Sequence, residues 1–151
     1  MIVLITGSNG LLGQKILSRL RDLDVKVIAT SKGVNRNKED GSYMYESLDI
    51  TNKNEINRVL NLYKPNVVFN TAAMTNVDLC EEERFLCDSL NVDAVSYLAD
   101  SCLAIDAHLI HISTDFIFDG DNGPYIEDDI PNPLSYYGES KLKSEKLLYL
   151  S

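Results

Sequence analysis

The chain opens with an apolar strand that runs directly into a glycine-rich turn, and this junction limits the fold more than any other feature. Residues 2–6 are aliphatic or β-branched, as in a strand buried within a parallel sheet. The segment GSNGLLG follows at residues 7–13, and apolar residues at positions 12, 16, 17 and 20 then recur at helical spacing. This order of strand, turn and helix predicts a nucleotide-binding unit in which the start of the helix accepts a pyrophosphate.

Each glycine of the turn has a separate expected role. Gly7 permits the tight turn, Gly10 lets the main chain approach a phosphate, and Gly13 lets the helix pack close to the sheet. Main-chain amides and the helix dipole would supply the anion site. The alternative interpretation is a glycine-rich turn that binds no ligand.

The rest of the chain alternates between strand and helix patterns, which is typical of an α/β protein. Predicted strands cover residues 25–30, 43–48, 66–73 and 108–113, and predicted helices cover 11–21, the stretch between Asn52 and Pro65, 89–106 and the segment from 137 onwards. Asn52 and Glu55 resemble a capping box, and the acidic residues 78–83 are expected to start a solvated helix. Residues 33–42 are expected to form a surface loop, and the long connection over 114–136 is expected to be functional.

This order predicts a doubly wound parallel sheet of the Rossmann type, with three layers in the order α/β/α. A sheet in the strand order 3-2-1-4-5-6 needs a sixth strand, which does not follow the last predicted helix. We therefore expect residues 1–151 to be the NAD(P)-binding domain of a longer protein, truncated after that helix and lacking a C-terminal substrate-binding region. The uncovered flank of strand five favours a homo-oligomer.

Charge and hydropathy exclude several classes of function. The chain has 14 Lys and Arg against 23 Asp and Glu, which gives a net charge of −9, and it has no basic run. A general nucleic-acid binder is therefore not expected. No apolar run reaches the roughly 18 residues of a membrane span, and the first residues belong to a core strand and not to a signal peptide, so a cytoplasmic protein is expected.

The cysteines and histidines do not form a metal-binding pattern. Cys80, Cys87 and Cys102 lack Cys-x-x-Cys spacing, which predicts reduced, partly buried thiols and no disulfide framework. His108 and His111 are three residues apart on one predicted strand, so they face opposite sides of the sheet and are expected to be structural. No metal is predicted.

The end of the second predicted strand bears on the choice of nucleotide. An acidic residue at this position binds the ribose 2′-hydroxyl in NAD-preferring folds, but this strand ends Thr30-Ser31-Lys32 with Arg36 nearby. The absence of a carboxylate favours NADP, with Ser31, Lys32 or Arg36 as candidate contacts of the 2′-phosphate. A solvated basic loop is the alternative, which leaves NAD open.

Tyr137 and Lys141 are four residues apart on a predicted helix and so share one face. A nearby ammonium is expected to lower the pKa of the phenol, which would suit Tyr137 to general acid–base chemistry at a carbonyl or hydroxyl oxygen. Thr114, at the end of the fifth predicted strand beside Ser113 and Asp115, is expected to orient the same oxygen. A surface pair on an amphipathic helix is the alternative.

Four segments together resemble the extended short-chain dehydrogenase/reductases. They are GSNGLLG at 7–13, NTAA at 70–73, STDFIFDG at 113–120 and YGESK at 137–141. The STDFIFDG string, with Pro133-Leu134 ahead of YGESK, most resembles the dTDP-4-dehydrorhamnose reductase family. The resemblance spans essentially the whole chain and rests mainly on the last two segments.

That resemblance implies reduction of dTDP-4-dehydro-L-rhamnose by NADPH or NADH to dTDP-L-rhamnose, a precursor of bacterial surface polysaccharide. It implies a catalytic triad of Thr114, Tyr137 and Lys141, and sugar contacts at Thr114 and Asp115. The implied cofactor contacts are Gly7, Gly10, Leu11, Leu12, Gly13, Asp49, Ile50, Ala72, Ala73, Thr75, Tyr137 and Lys141. The isolated piece is expected to turn over weakly or not at all.

Two other functions remain open because one fold serves several activities. The non-catalytic β subunit of methionine adenosyltransferase resembles the same reductases, so a cofactor-binding regulatory subunit is the first alternative. Epimerisation or dehydration of a sugar nucleotide is the second.

Overall fold

The computed structural model describes residues 1–37 and 41–149, so residues 38–40 of the predicted surface loop lie outside the described part. The strands are β1 (Ile2–Thr6), β2 (Lys26–Ser31), β3 (Met44–Ser47), β4 (Val67–Asn70) and β5 (His108–His111). The helices are α1 (Leu11–Leu20), α2 (Lys53–Tyr63), α3 (Val77–Glu82), α4 (Arg84–Asp88), α5 (Ala94–Leu103) and α6 (Tyr136–Tyr149). A π-helical turn at Ser89–Asp93 and a short 3-10 helix at Asp115–Ile117 complete the described elements.

The five strands form one parallel sheet in the order β3-β2-β1-β4-β5, which confirms the predicted Rossmann-type topology. β1 lies at the centre and pairs with β2 on one side and β4 on the other. Thr6, the last residue of β1, lies opposite Asn70, the last residue of β4. The glycine turn and the segment Thr71–Ala73 therefore leave the sheet side by side, where open α/β sheets bind ligands.

The chain divides into two compact units. The sheet unit comprises Met1–Ala73 and Tyr97–Ile112 and holds all five strands with α1 and α2. The helical unit comprises Met74–Ser96 and the described residues from Ser113 onwards, and it holds α3, α4 and α6.

The core of the sheet unit explains the continuous apolar runs of its strands. Val3, Ile5, Val27 and Ala29 pack with Leu17 of α1 on one face of the sheet. Their alternate neighbours Leu4, Ile28 and Val68 are fully buried as well, so both faces of these strands are covered. Of the apolar residues that recur at helical spacing in α1, Leu17 is buried, whereas Leu12 is 44% exposed in the first turn of the helix.

Several predicted boundaries differ from the structure. The helix expected over 89–106 follows α4, which begins at Arg84, passes through the π-helical turn and ends at Leu103. The acidic segment is a separate helix, α3, and β4 and β5 end at Asn70 and His111, two or three residues earlier than expected. Asn52 caps α2 as predicted, but the Glu55 carboxylate accepts from the main-chain N–H of Asp49 at 3.0 Å, so the capping box is incomplete.

The three cysteines are free, as predicted, and they are fully buried where partial burial was expected. Cys80 and Cys87 pack with Met74 and Tyr137 in the core of the helical unit. Burial, together with the neighbouring Cys87 thiol, raises the pKa of Cys80 to about 12. Burial likewise raises the pKa of Cys102 to about 11, so the Cys80 and Cys102 thiols are protonated near neutral pH. All three buried cysteines act as packing groups.

Candidate functional site

The glycine turn between β1 and α1 leaves no room for a side chain at Gly7 or at Gly13. A Cβ atom on Gly7 would lie 2.7 Å from the Ala72 nitrogen, and one on Gly13 would lie 2.5 Å from the Gly7 carbonyl oxygen. Gly7 also has φ of +66°, which favours glycine. α1 begins without a side-chain cap, and its first intrahelical bond runs from the Gln14 N–H to the Gly10 carbonyl at 3.0 Å. The amides of residues 11–13 therefore have no intrahelical partner, and the turn fits a pyrophosphate.

Polar side chains fix the strand ends beneath the turn. The Thr6 hydroxyl donates to the side-chain oxygen Oδ1 of Asn70 at 2.6 Å, and the Asn70 side-chain nitrogen Nδ2 lies 3.0 Å from Nδ1 of His111. The Thr71 hydroxyl donates to the Thr6 main-chain carbonyl at 2.6 Å. These bonds cross three neighbouring strands, so they hold the Gly7 and Ala72 segments in register and give His111 the structural role that was predicted.

The basic residues after β2 differ in whether their side chains are already paired or could contact a phosphate. The Lys32 ammonium pairs with Asp49 at 2.6 Å, and the Ser31 hydroxyl accepts from the Asn9 N–H at 3.0 Å. Burial of Asp49 opposes its ionisation, but hydrogen bonds from Lys32 and Thr51 outweigh it and hold the pKa of Asp49 below its usual value. Arg36 is exposed, and the hydrogen bond described for it runs from its main-chain N–H to the side-chain oxygen Oδ1 of Asn9 at 2.9 Å.

The helical unit brings the predicted catalytic residues together around the start of α6. Tyr137 is 9% exposed and Lys141, one turn later on the same face, is 2% exposed. Thr114 follows β5 by three residues, and its hydroxyl donates to the Asp115 carboxylate at 3.2 Å. The Thr114 side chain is near enough to the Tyr137 phenol to influence its pKa. Phe116 contacts the Tyr137 ring edge-on with 5.9 Å between centroids, and a Cβ on Gly138 would overlap the Phe116 carbonyl oxygen. The 3-10 helix and α6 therefore pack tightly enough to fix the phenol.

The electrostatics of this pair correct one expectation. Burial raises the pKa of Tyr137 above its ordinary value, and the neighbouring Thr114 side chain only partly offsets this effect. Burial also lowers the pKa of Lys141 to about 8. Desolvation thus acts on both groups and favours their neutral forms, so the predicted lowering of the phenol pKa by the ammonium is wrong for this state of the protein. A protonated phenol is the form that a proton donor needs.

Replacing Lys141 by methionine is expected to raise the free energy of unfolding by about 1–3 kcal/mol near pH 7. The folded chain holds the Lys141 pKa at about 8 and the unfolded chain near 10.5, so the unfolded state binds more protons between these pH values. Stability of the unchanged protein should therefore rise with pH across that interval, and the variant should lack this slope. Urea unfolding at about pH 7 and about pH 10 measures both effects. Lys15→Met, on the exposed side of α1, is the control, and a destabilised Lys141→Met protein near pH 7 would contradict the prediction.

Two polar residues of the helical unit were not assigned from the sequence. The Ser113 hydroxyl, directly before Thr114, is buried without a hydrogen-bond partner among the described residues. An unsatisfied buried hydroxyl costs about 1–3 kcal/mol, so a polar ligand group is expected to satisfy it. Ser113 was noted only as a neighbour of Thr114, and a serine beside a threonine gives no stronger signal.

Asn91 is the second of these residues and lies in the π-helical turn, only 1% exposed. Its side chain accepts from the Met74 N–H at 2.8 Å and donates to the Met74 carbonyl and the Ser140 hydroxyl, both at 3.0 Å. It therefore ties the segment after Ala73 to α6. The signal in the sequence was an amide within an otherwise apolar helical stripe.

The long connection is organised by Asp119. Its carboxylate accepts hydrogen bonds from the Tyr125 hydroxyl, the Asn132 amide and the Asp121 N–H, and these hold its pKa at about 2. The Tyr125 ring stacks on Phe118 with 4.4 Å between centroids. These contacts stabilise the loop locally, and Asp119, the second aspartate of the STDFIFDG string, has a structural role within it.

The predicted cofactor contacts fall into separate groups. Gly7, Gly10, Gly13 and Ala72 lie together at the ends of β1 and β4, with Ala73 next in the chain. Leu11 is 79% exposed and Leu12 is partly exposed at the start of α1, whereas Ile50 is buried and Thr75 exposed. Asp115 is exposed and accepts from the Thr114 hydroxyl at 3.2 Å.

Within residues 1–37 and 41–149, no helix combines the length and the apolar character that crossing a membrane requires. The same described residues contain no group of three or more His, Cys, Asp or Glu side chains arranged to hold a metal ion.

Residues 1–150 match the protein family described as the RmlD substrate binding domain. The chain is 39% identical over 147 residues to a dTDP-4-dehydrorhamnose reductase of Aggregatibacter actinomycetemcomitans, an alignment that covers 97% of this chain and 46% of that protein. It is 37% identical over 144 residues to methionine adenosyltransferase 2 subunit beta of Bos taurus, covering 95% and 41% of the two chains. The chain thus spans less than half the length of these relatives.

Solved structures of dTDP-4-dehydrorhamnose reductases and of other nucleotide-binding proteins share the fold of this chain. The structure of a dTDP-4-dehydrorhamnose reductase of Clostridium acetobutylicum superposes with a TM-score of 0.84 at 37% identity, over 99% of this chain and 49% of that one. MoeE5 in complex with UDP-glucose and NAD superposes with a TM-score of 0.85 at 28% identity, over 97% of this chain and 48% of that one.

Proposed function

The chain belongs to the RmlD substrate binding domain family, and on that basis we propose that it is the cofactor-binding portion of an NADPH-dependent reductase of a 4-keto sugar nucleotide. The proposed reaction converts dTDP-4-dehydro-L-rhamnose to dTDP-L-rhamnose, in the cytoplasm, as a step towards surface polysaccharide. The observation that carries the proposal is the placement of Thr114 near the Tyr137 phenol, with the buried Lys141 one helical turn away on α6.

The proposed chemistry divides between the dinucleotide and the side chains of this chain. When bound, NADPH supplies a hydride to the C4 carbon of the keto sugar. Tyr137 donates its phenolic proton to the carbonyl oxygen as the C=O bond becomes a C–O bond, and the raised pKa keeps that proton available. Thr114 orients the phenol in this proposal, and Lys141, when protonated, stabilises the phenolate that remains until solvent restores the proton.

The glycine turn and the strand ends would hold the dinucleotide. The amides of residues 11–13 face the pyrophosphate in this proposal, because backbone dipoles can bind an anion even in a chain of net charge −9. The small side chains of Ala72 and Ala73 are proposed to leave space for a flat ring. The Asp49 and Ile50 segment is proposed to lie beside the adenine.

NADPH is expected to bind more tightly than NADH, with Arg36 as the principal contact of the 2′-phosphate. Lys32 is already paired with Asp49, so its loss should matter less than the loss of Arg36. Arg36→Ala is expected to weaken NADPH binding about tenfold, because a charge-assisted hydrogen bond contributes about 1.5–3 kcal/mol, and to leave NADH binding unchanged. Calorimetric titration of both nucleotides measures this, and tighter binding of NADH by the unchanged chain would overturn the assignment of NADP.

The reaction is tested by following NADPH oxidation with dTDP-4-dehydro-L-rhamnose and the complete gene product that contains these residues. Oxidation that requires both the sugar nucleotide and Tyr137 supports the proposal. NADPH bound but not oxidised would contradict it.

The similarity to methionine adenosyltransferase 2 subunit beta supports a second candidate, a regulatory subunit that binds the dinucleotide without turnover. The two are separated by the same assay, because a regulatory subunit would bind NADPH without oxidising it and would change the activity of a partner enzyme. Epimerisation or dehydration is a third candidate, distinguished by conversion of the sugar without net consumption of NADPH.

A further inference from the structure

A cluster of charged and aromatic side chains surrounds Tyr136, the residue that precedes Tyr137. We refer to it as the α6 clamp, and its members are Glu81, Arg84, Asp88, Tyr136 and Lys143. They come from α3, α4 and α6, which all belong to the helical unit. None of them was assigned a functional role from the sequence.

The clamp holds Tyr136 through both its main chain and its side chain. The Tyr136 N–H donates to the Glu81 carboxylate at 2.6 Å, and the Tyr136 hydroxyl donates to the Asp88 carboxylate at 2.8 Å. The Arg84 guanidinium lies 4.6 Å and the Lys143 ammonium 4.8 Å from the centre of the ring. The ring therefore makes a cation–π contact with each of two side chains while its hydroxyl is fixed.

The charged members of the clamp also hold one another. Arg84 pairs with Glu81 at 2.8 Å, and Lys143 lies 3.2 Å from Asp88 and 3.4 Å from the Tyr136 hydroxyl. Glu81 thus binds Arg84 and the Tyr136 main chain, and Asp88 binds Lys143 and the Tyr136 hydroxyl. A single exposed ion pair contributes little, but a connected network limits the movement of all its members.

The position of the clamp matters because Tyr136 and Tyr137 are adjacent in the first turn of α6. The Tyr137 side chain packs into the core with Met74, Cys80 and Cys87, whereas the Tyr136 side chain meets the clamp. The first turn of α6 has no earlier helical turn to hold it, so its position depends on such contacts.

We infer that the α6 clamp is a positioning device that sets the location of the Tyr137 phenol relative to Thr114. Glu81 and Asp88 fix the main chain and ring of Tyr136, and the helix carries that constraint to Tyr137. Its effect on turnover rests on the proposed function, in which the phenol donates a proton, and misplacement by about 1 Å costs such a step up to about 100-fold.

Kinetics of the complete gene product test this effect. Glu81→Ala and Tyr136→Phe are each expected to lower kcat about tenfold while KM for NADPH stays within about twofold, because only the proton donor moves. Glu81→Gln keeps an oxygen acceptor for the Tyr136 N–H and should restore most of kcat. Glu82→Ala, at an exposed neighbouring position of α3, is the matched control. A kcat within about twofold of the unchanged protein in both test variants, or equal losses in the alanine and glutamine variants, would overturn the inference.

A second measurement needs no turnover. In protein carrying 13C-labelled tyrosine, the Cζ resonance of Tyr137 is assigned by its loss in Tyr137→Phe, and its titration reports the surroundings of the phenol. Glu81→Ala is expected to move the titration midpoint by about half a pH unit or more, and Glu82→Ala to leave it unchanged. An unmoved midpoint overturns the inference whatever the activity. A moved midpoint in a protein that oxidises no NADPH supports the clamp and contradicts the proposed function.

Discussion

Replacing Tyr137 by phenylalanine in the complete gene product is expected to lower kcat/KM for the 4-keto sugar nucleotide by about 100- to 10,000-fold. The variant removes one oxygen atom and keeps the ring that packs edge-on against Phe116 and into the core with Cys80 and Cys87. NADPH binding is expected to stay within about twofold, because the dinucleotide is proposed to bind mainly through the glycine turn. Stopped-flow measurement of hydride transfer, together with a direct titration of NADPH, separates these two effects.

A matched control is available in the same helix. Tyr149 is 88% exposed on α6, so Tyr149→Phe removes an equivalent hydroxyl and should leave kcat/KM unchanged. If Tyr137→Phe kept more than about a tenth of the activity, the phenol would not be the proton donor. Thr114 or a water molecule would then have to supply the proton.

The topology followed from the sequence because both faces of the central strands are covered. Ile2–Thr6 has no polar alternation to suggest a half-exposed strand, and parallel strands in such a sheet are usually joined by helices. The strand order β3-β2-β1-β4-β5 then follows from short, right-handed connections. The bounds of the elements were less predictable, since α4 (Arg84–Asp88) extends the helical region through the exposed apolar side chains Phe85 and Leu86, which do not form a regular inward-facing stripe.

The candidate site was predictable in its residues and less so in its electrostatics. The spacing of Tyr137 and Lys141 placed both on one face, and the structure buries both. From the sequence, the Lys141 ammonium was expected to lower the pKa of Tyr137. In the structure, desolvation is the largest influence on the pKa of both residues. Desolvation depends on burial by residues that are distant in the chain, so the sequence did not reveal it. Asn91 was likewise missed, because its partners Met74 and Ser140 are 17 and 49 residues away.

Replacing Gly13 by alanine is expected to lower the free energy of unfolding by about 2–4 kcal/mol and to weaken NADPH binding about 100-fold. Alanine favours a helix by about 1 kcal/mol over glycine, so intrinsic propensity predicts the opposite sign. The added Cβ would lie 2.5 Å from the Gly7 carbonyl oxygen and 2.7 Å from the Ser8 Cα. Both neighbours are main-chain atoms of a turn that is held to β2 by the Ser8 N–H bond to Thr30 at 2.9 Å, so they have little freedom to move aside. α1 must therefore move away from the turn, and the main-chain amides of residues 11–13 would no longer point towards the pyrophosphate.

A glycine outside the turn separates this steric effect from the ordinary strain of replacing a glycine. Gly120 has φ of +87° with nothing within 4 Å of an added Cβ, so Gly120→Ala should cost about 1–2 kcal/mol of stability and leave the NADPH dissociation constant unchanged. Urea unfolding and calorimetric titration of the two variants give the comparison. If Gly13→Ala unfolded more easily but bound NADPH with the original dissociation constant, the close packing of α1 on the turn would be purely structural. The pyrophosphate would then have to bind elsewhere, because a displaced α1 cannot present the same three amides to it.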